Sequence, residues 1–130
     1  MSNAGWCCSD DDGNGLWHNH QYSADRWIEA VASISERYKS NPLVIGNDLR
    51  NEIRFDKKNN LSATWGDGNV KTDWKLVATR AGNEVLKRVP DSLIFIEGLN
   101  YANDMSMIKD SPIKLDLPNR LVYSFHLYSW

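Results

Sequence analysis

The stretch that decides the fold is Leu43-Val44-Ile45-Gly46 followed by Asn47-Asp48-Leu49-Arg50-Asn51-Glu52. Its first residues form a continuous apolar run in which hydrophobic and polar residues do not alternate. Such a run is typical of a strand that is covered on both faces, as in a parallel sheet with helices outside. We expect this strand to reach about Leu49 and to be followed at once by polar side chains.

Two further strands are predicted, and each is followed by a polar residue. Leu93–Ile96 leads to Glu97, and Leu121–Phe125 leads to His126. Parallel strands bring their carboxyl ends to one edge of a sheet, which is where a (β/α)₈ barrel keeps its active site and where an open α/β sheet binds ligand. We therefore expect Glu97, His126 and Glu52 to lie near one another.

Two amphipathic helices are predicted between these segments. The first has Ser23 as its N-cap and carries apolar residues at helical spacing: Trp27, Ile28, Val31, Ile34 and Tyr38. The second is capped by Thr72, and its apolar face comprises Trp74, Val77, Ala78, Ala81, Val85 and Val89. The segments at 1–22 and 55–70 are predicted loops, with one short helix near Met105–Ile108. The alternating order of helices and strands indicates an α/β fold.

Composition is that of an ordinary globular domain. The chain has 130 residues, 42% of them hydrophobic, and 15 basic against 17 acidic residues give a net charge of −2. This balance argues against general nucleic-acid binding, which needs a basic surface. No apolar run approaches the roughly 18–20 residues of a membrane span. A full barrel takes about 250 residues, so this length has room for three or four strands.

Glu52 is the candidate for acid/base chemistry. Polar residues beside an apolar strand are costly to bury without partners. Asn51 could orient a substrate hydroxyl, while Asp48 and Arg50 could pair beneath the site. From these residues alone two interpretations stay open, namely a surface loop after a strand, or a general acid/base whose pKa is raised by partial burial or a neighbouring charge.

Short motifs along nearly the whole chain resemble one known family. Besides Asp48–Glu52, they are Gly5-Trp6-Cys7-Cys8, Asp12–Trp17, Arg37–Pro42, Thr64-Trp65-Gly66, Asp73-Trp74, Ala81-Gly82-Asn83, Leu93–Gly98 and Pro118–Ser124, which leads into His126 and Tyr128. In this order they resemble glycoside hydrolase family five, the cellulase family, and Asp48–Glu52 resembles that family's acid/base strand.

The resemblance implies a retaining glycosidase on a (β/α)₈ barrel. Glu52 would protonate the leaving oxygen and then, as a base, activate water. Asn51 would bind the 2-hydroxyl of the sugar at the cleavage point. His126 and Tyr128 would line the same pocket, with Tyr128 steering the nucleophile, and Trp65 would stack on a sugar ring.

The family's nucleophile is not among these residues. A retaining enzyme needs a second carboxylate about 5–5.5 Å from the first, and in this family it comes from the seventh strand. Glu97 matches the Glu-Gly of the fifth strand, a substrate-pocket or supporting residue, and we do not expect it to be the nucleophile. Residues 1–130 would then be a fragment of one catalytic domain, about strands four to six with helices three and four. Ile53 replaces a proline found in many relatives, which we expect to change loop shape.

The functional expectation is a hydrolase of β-1,4-glucan-type polysaccharide. The 130-residue chain alone is expected to be inactive and to fold poorly or associate, because two sheet edges stay unpaired. The alternatives are a non-catalytic glucan-binding remnant or an inactive gene fragment. No cofactor is implied, because two carboxylates suffice for the reaction. The expected partners are the polysaccharide and the remainder of the barrel, with neither nucleic acid nor membrane.

An extracellular location is expected because members of the family are secreted. The sequon Asn60-Leu61-Ser62 agrees with secretion, although no signal-peptide pattern precedes Gly5.

Three other features of the first loops predict no metal site. Residues 10–15 match half of a calcium loop, but Gln21 stands where a glutamate is needed, so a solvated turn is favoured. His18-x-His20 lacks a third ligand at useful spacing. The adjacent Cys7-Cys8 pair is interpreted as small buried residues or as disulfide partners of cysteines elsewhere.

Overall fold

A computed structural model describes Ser9 and residues 11–129. In this part of the chain, the helices of more than one turn and the strands are α1 (Ala24–Arg37), β1 (Gly46–Asp48), α2 (Trp74–Arg88), β2 (Leu93–Glu97) and β3 (Leu121–Ser124). Cys7, Cys8 and the first position of the calcium pattern, Asp10, lie outside the described residues. None of the described helices has the length and apolar character needed to cross a bilayer.

The three strands form one parallel sheet in the order β1-β2-β3. Asp48 pairs with Phe95, and Glu97 pairs with Ser124, so the carboxyl ends of the strands lie along one edge. The hydrophobic core contains buried residues from α1, α2 and β2, including Ile94 and Ile96, neither of which has exposed surface. The predicted parallel α/β arrangement is confirmed.

Helix α1 begins where the sequence predicts. The Ser23 hydroxyl accepts a hydrogen bond from the Arg26 amide at 3.3 Å, which satisfies one of the free N–H groups at the helix start. The buried stripe is Ile28, Val31, Ala32 and Ser35, the i, i+3, i+4, i+7 pattern of one helix face. Ile34 lies off this stripe and is exposed, and Tyr38 is the C-cap, so their predicted place on the buried face was wrong.

Helix α2 is capped by Asp73, one residue after the predicted Thr72. The Asp73 carboxylate accepts from the Leu76 amide at 3.0 Å and from the Gly66 and Gly68 amides at 2.8 Å each. A carboxylate can accept several such bonds at once, whereas a hydroxyl offers less acceptor capacity. The cap is therefore decided by a loop that approaches the helix from residues 66–68.

Strand β1 is shorter than predicted. It starts at Gly46, while Leu43 is 87% exposed and Ile45 is 66% exposed. Within the described residues β1 pairs only with β2, so its other edge is open and these apolar side chains face solvent. The prediction that the first apolar run is covered on both faces is wrong for this chain.

The other predicted segments are close to those observed. Strand β2 extends one residue further than expected, to Glu97, and β3 ends one residue earlier, at Ser124. The predicted short helix is a 3₁₀ helix, Ser106–Ile108. Before it, Leu99–Ala102 form a single turn whose residues Asn100, Tyr101 and Ala102 all have positive φ.

Candidate active site

Glu52 lies four residues beyond the end of β1 and is almost completely buried, with 5% of its surface exposed. Its backbone has φ = +48°, in the left-handed region. This conformation costs an L-residue roughly 1–2 kcal/mol, so neighbouring contacts must hold it. The Glu52 amide donates a hydrogen bond to Oε2 of Glu97 at 2.6 Å.

The Glu52 carboxylate is held by two side chains from the segment after β3. Oε1 accepts from the Tyr128 hydroxyl at 2.9 Å and lies 2.7 Å from Nδ1 of His126. The His126 amide donates to the Ala102 carbonyl at 3.2 Å, which fixes the position of this segment beside the turn that follows β2. The predicted meeting of Glu52, His126 and Tyr128 is therefore present.

Glu97 is the last residue of β2 and has no exposed surface. Its Oε1 lies 3.3 Å from Nε2 of His126, an ion-pair distance. Burial raises the pKa of Glu97 to about 7, because a charged carboxylate is poorly solvated inside the protein. The neighbouring carboxylate of Asp48 raises this pKa further, whereas the Glu52 amide and His126 act against the rise.

His126 lies between two carboxylates. The hydrogen bond to Glu52 raises the pKa of His126, and the charges of Glu97, Glu52 and Asp48 add to the effect, while burial opposes it. When protonated, the imidazole has a donor on each nitrogen and can face both carboxylates at once. The site therefore favours the protonated form of the ring.

Two arginines brace the loops around the site from within. The Arg50 guanidinium donates to the carbonyls of Leu16 and Asn14, at distances of 2.7–3.2 Å. Arg54 is buried and donates to the Ser9 carbonyl at 3.1 Å and to the Glu52 carbonyl at 3.3 Å. Sequence reasoning missed Arg54, whose only signal is a charged residue between two apolar neighbours.

The remaining predicted substrate residues are less closely joined to this cluster. Asn51 precedes Glu52 directly and is partly exposed. Trp65 packs against the hydrophobic core, and its Nε1 donates to the Ser111 carbonyl at 2.7 Å. Of the two roles expected for Glu97, substrate-pocket or supporting residue, its complete burial favours the supporting one.

The first loop is packed against the rest of the chain. Leu16 and Trp17 belong to the core, and the Asp12 carboxylate lies 3.5 Å from the Arg54 guanidinium. The expected solvated turn is therefore only partly exposed, with Asp11 in solvent but Gly13 and Gly15 buried. Among the described residues, no group of three or more histidines, cysteines, aspartates or glutamates is arranged to hold a metal ion.

A separate cleft of about 410 Å³ lies between the first loop and the loops after β1. Both His18 and His20 line it, together with Asp56 and Lys71. Nε2 of His18 lies 2.8 Å from the carbonyl of Lys71. Glu52 does not line this cleft.

The geometry around Glu52 suits proton transfer. A carboxyl group that is nearly buried, fixed by an imidazole and a phenol, can give or take a proton at a defined position. The profile of the cellulase family (glycosyl hydrolase family 5) matches residues 5–130. This chain belongs to glycosyl hydrolase family 5. Its site residues Glu52, Glu97, His126 and Tyr128 thus lie at or just after the ends of three adjacent strands of a family 5 domain.

Relatives within family 5 include several endoglucanases. The chain is 40% identical over 124 residues to an endoglucanase of Paenibacillus polymyxa, an alignment that covers 87% of this chain and 30% of the relative. It is 30% identical over 125 residues to the major extracellular endoglucanase of Xanthomonas campestris pv. campestris, covering 87% of this chain and 24% of the relative.

A solved structure of an endocellulase is also similar to this chain. The chain is similar, with a TM-score of 0.77 and 32% identity, to an endocellulase from Pyrococcus horikoshii in complex with cellotetraose, covering 88% of this chain and 36% of the other. The chain thus spans about a quarter to a third of the length of these relatives. Its fold is part of a (β/α)₈ barrel, as the resemblance predicted.

Proposed function

We propose that this chain supplies the acid/base part of a retaining glycosidase that cleaves β-1,4-glucan. The observation that carries the proposal is the buried Glu52 carboxylate, whose Oε1 is bonded by Tyr128 and approached at 2.7 Å by His126. Membership of family 5 and the cellotetraose complex of the Pyrococcus horikoshii endocellulase support a glucan as the substrate.

Glu52 acts in both halves of the proposed reaction. In the first half, its carboxyl proton passes to the glycosidic oxygen as the sugar–oxygen bond breaks, and a nucleophilic carboxylate outside these residues takes the sugar. In the second half, Glu52 removes a proton from water as water attacks the glycosyl-enzyme, which releases the sugar with retained configuration and restores both carboxyl groups.

Three further residues have proposed roles toward the sugar. Asn51 binds the 2-hydroxyl at the cleavage point. Tyr128 orients Glu52 and steers the nucleophile. Trp65, held by its bond to Ser111, supplies an aromatic face for a sugar ring.

A second candidate function is glucan binding without hydrolysis by the 130-residue chain alone. The observation that favours it concerns Glu97, whose carboxylate contacts the Glu52 backbone but has no exposed surface with which to attack a sugar. We therefore propose that these residues bind glucan and do not hydrolyse it unless a nucleophile comes from outside them.

Secretion is proposed for the protein that carries this chain. The support is the Xanthomonas relative, which is described as extracellular. Detection of the protein in the culture supernatant of its native host, with a cytoplasmic marker absent from the same fraction, would support secretion.

The test of catalysis is Glu52→Gln in the protein that carries this chain, with cellotetraose as substrate. We expect kcat/KM to fall by roughly 10²–10⁴-fold, the usual contribution of a general acid/base. Azide should restore turnover of an aryl cellobioside with a good leaving group, because such a substrate needs no acid and azide needs no base.

The matched control is Glu36→Gln, which neutralises an exposed carboxylate on α1 that pairs with Lys39 at 3.6 Å. It should leave kcat/KM within about twofold. Full activity of the Glu52 variant would overturn the acid/base assignment. For the isolated chain, calorimetric binding of cellotetraose without product release is expected, and hydrolysis by the chain alone would overturn the binding-only proposal.

A further inference from the structure

Glu97 contacts the backbone of the proposed acid/base residue and the imidazole that holds its carboxylate. Its Oε2 accepts the Glu52 amide at 2.6 Å, and its Oε1 lies 3.3 Å from the imidazole that holds the Glu52 carboxylate. We propose that Glu97 is a positioning residue that fixes Glu52 at its backbone directly and at its carboxylate through His126. This inference rests on the proposed function and assigns a further residue to the same site.

The hydrogen bond from the Glu52 amide to Glu97 stabilises an unfavourable backbone conformation of Glu52. Glu52 has φ = +48°, and the residue after it is fixed too, because the Tyr101 amide donates to the Ile53 carbonyl at 2.9 Å. A hydrogen bond to an ionised acceptor is roughly twice as strong as one between neutral groups. A carboxyl oxygen of Glu97 can accept the Glu52 amide in either protonation state and so hold its left-handed backbone, and this bond is strongest above the raised pKa of Glu97, about 7.

The side-chain contact passes through His126. The ring is 2.7 Å from Glu52 by Nδ1 and 3.3 Å from Glu97 by Nε2, so the two carboxylates share one imidazole. The charged and titratable groups that face Glu97 are Asp48 from β1, Glu52 and His126. Loss of the Glu97 charge removes an attraction that keeps His126 protonated.

The complete burial of Glu97 indicates a positioning role rather than direct contact with the substrate. Glu97 has no exposed surface, and Nε1 of Trp74 donates to its carbonyl at 2.9 Å from beneath the sheet edge. A carboxylate in this position acts on the reaction only through the groups it holds. Misplacing a catalytic group by about 1 Å costs up to roughly 100-fold in rate.

The kinetic experiment is Glu97→Gln in the protein that carries this chain. The amide keeps the size of the side chain but removes its charge. We expect kcat on cellotetraose to fall roughly 10- to 100-fold with KM within about twofold, because Glu97 does not touch substrate. In the same variant, the His126 pKa, followed by NMR of the ring, should fall below that of the unaltered protein.

Trp74→Phe is the matched control. It removes the hydrogen bond to the main chain of Glu97 but leaves the carboxylate, so it should lower Tm without moving the His126 pKa. Glu97→Asp keeps the charge but shortens the side chain by one methylene. The His126 pKa of this variant should return close to that of the unaltered protein, whereas its kcat should stay lower. Unchanged kcat and His126 pKa in Glu97→Gln would overturn the inference.

A measurement on the unaltered protein covers the case in which Glu97→Gln does not fold. The Glu52 amide should exchange slowly with solvent and resonate far downfield, as expected for a short bond to a carboxylate. Fast exchange, as in an exposed loop, would overturn the inference. If the unaltered protein does not cleave glucan, the proposed function fails, while the amide and His126 measurements still decide the role of Glu97.

Discussion

The carboxyl ends of the strands and the open edges of the sheet differ in how fully the chain's own residues contact and cover them. At the carboxyl ends, Glu52, Glu97 and His126 form a cluster whose contacts come from the chain itself. At the edges, Leu43 before β1 is 87% exposed and Leu127 after β3 is 81% exposed. The Glu52 cluster is thus assembled within these residues, whereas apolar surface at the edges is left uncovered.

The relatives suggest what covers those edges. The chain spans 30% of the Paenibacillus polymyxa endoglucanase and 36% of the Pyrococcus horikoshii endocellulase. We propose that further strands of the barrel lie against β1 and β3 in the protein that carries this chain. The comparison then teaches that acid/base geometry is local to three adjacent strands, while stability is shared with the rest of the barrel.

The largest expected effect is a contrast between the core and the edge. Trp74 is buried and its ring lies 5.4 Å from that of Trp17, so Trp74→Ala should lower the free energy of unfolding by about 3–5 kcal/mol. Leu43→Ala should change it by less than about 0.5 kcal/mol in the isolated chain, because the side chain is already in solvent. Urea unfolding measures both, and equal losses would contradict the contrast.

The second prediction concerns pH at the carboxyl ends. The pKa of Glu97 is raised from 4.5 to about 7, and that of His126 is raised above 6.5. A group whose pKa is raised in the folded state contributes stability below its unfolded pKa, and this contribution is lost as pH rises through the folded pKa. For Glu97 the loss should reach about 3 kcal/mol between about pH 4.5 and pH 8.

Urea unfolding across this pH range tests the prediction, with Glu97→Gln as the comparison. The variant should have a flatter dependence of the free energy of unfolding on pH, since it lacks the titrating carboxyl. Parallel curves for the two proteins would show that Glu97 does not titrate as described.

The third prediction is smaller and concerns Tyr128. Tyr128→Phe removes the hydroxyl that donates to Glu52 at 2.9 Å and should lower kcat/KM about tenfold, equivalent to about 1.4 kcal/mol. Tyr38→Phe, at the exposed end of α1, is the control and should have no effect. Equal kinetics in both variants would remove Tyr128 from the site.

The smallest expected effect on folding free energy comes from charges placed on the edge. Leu43→Lys combined with Ile45→Lys should alter the stability of the isolated chain by about 0.5 kcal/mol or less but reduce its self-association, because charged edges resist pairing. Sedimentation velocity at several concentrations follows the association. A monomeric unaltered chain with a sharp, concentration-independent thermal transition would contradict this prediction.

The sequence predicted the elements whose pattern is local. Ser23 precedes a regular apolar stripe, and the segment Leu93–Ile96 is apolar throughout, so the start of α1 and both ends of β2 were predicted within a residue. The errors have non-local causes. Asp73 became the cap of α2 through the distant amides of Gly66 and Gly68, and Leu43, in the first apolar run, is exposed because no described residue covers it.

The candidate site was predictable in its members but not in its internal contacts. Parallel strands and the resemblance to family 5 indicated that Glu52, His126 and Tyr128 would meet. The hydrogen bond between the Glu52 amide and the Glu97 carboxylate was not predictable, because it depends on the positive φ of Glu52. Burial of Arg54 likewise depends on the path of the first loop over the site.

The turn at Leu99–Ala102 winds in the opposite sense to an α-helix. Its main chain reaches both neighbouring loops, since the Tyr101 amide donates to Ile53 and the Ala102 carbonyl accepts from His126. The turn therefore fixes the spacing between the loop that carries Glu52 and the segment that carries His126. Adding or deleting one residue would displace the Tyr101 amide or the Ala102 carbonyl from its partner. Loop grafting between related enzymes must accordingly move this turn together with both of its neighbours.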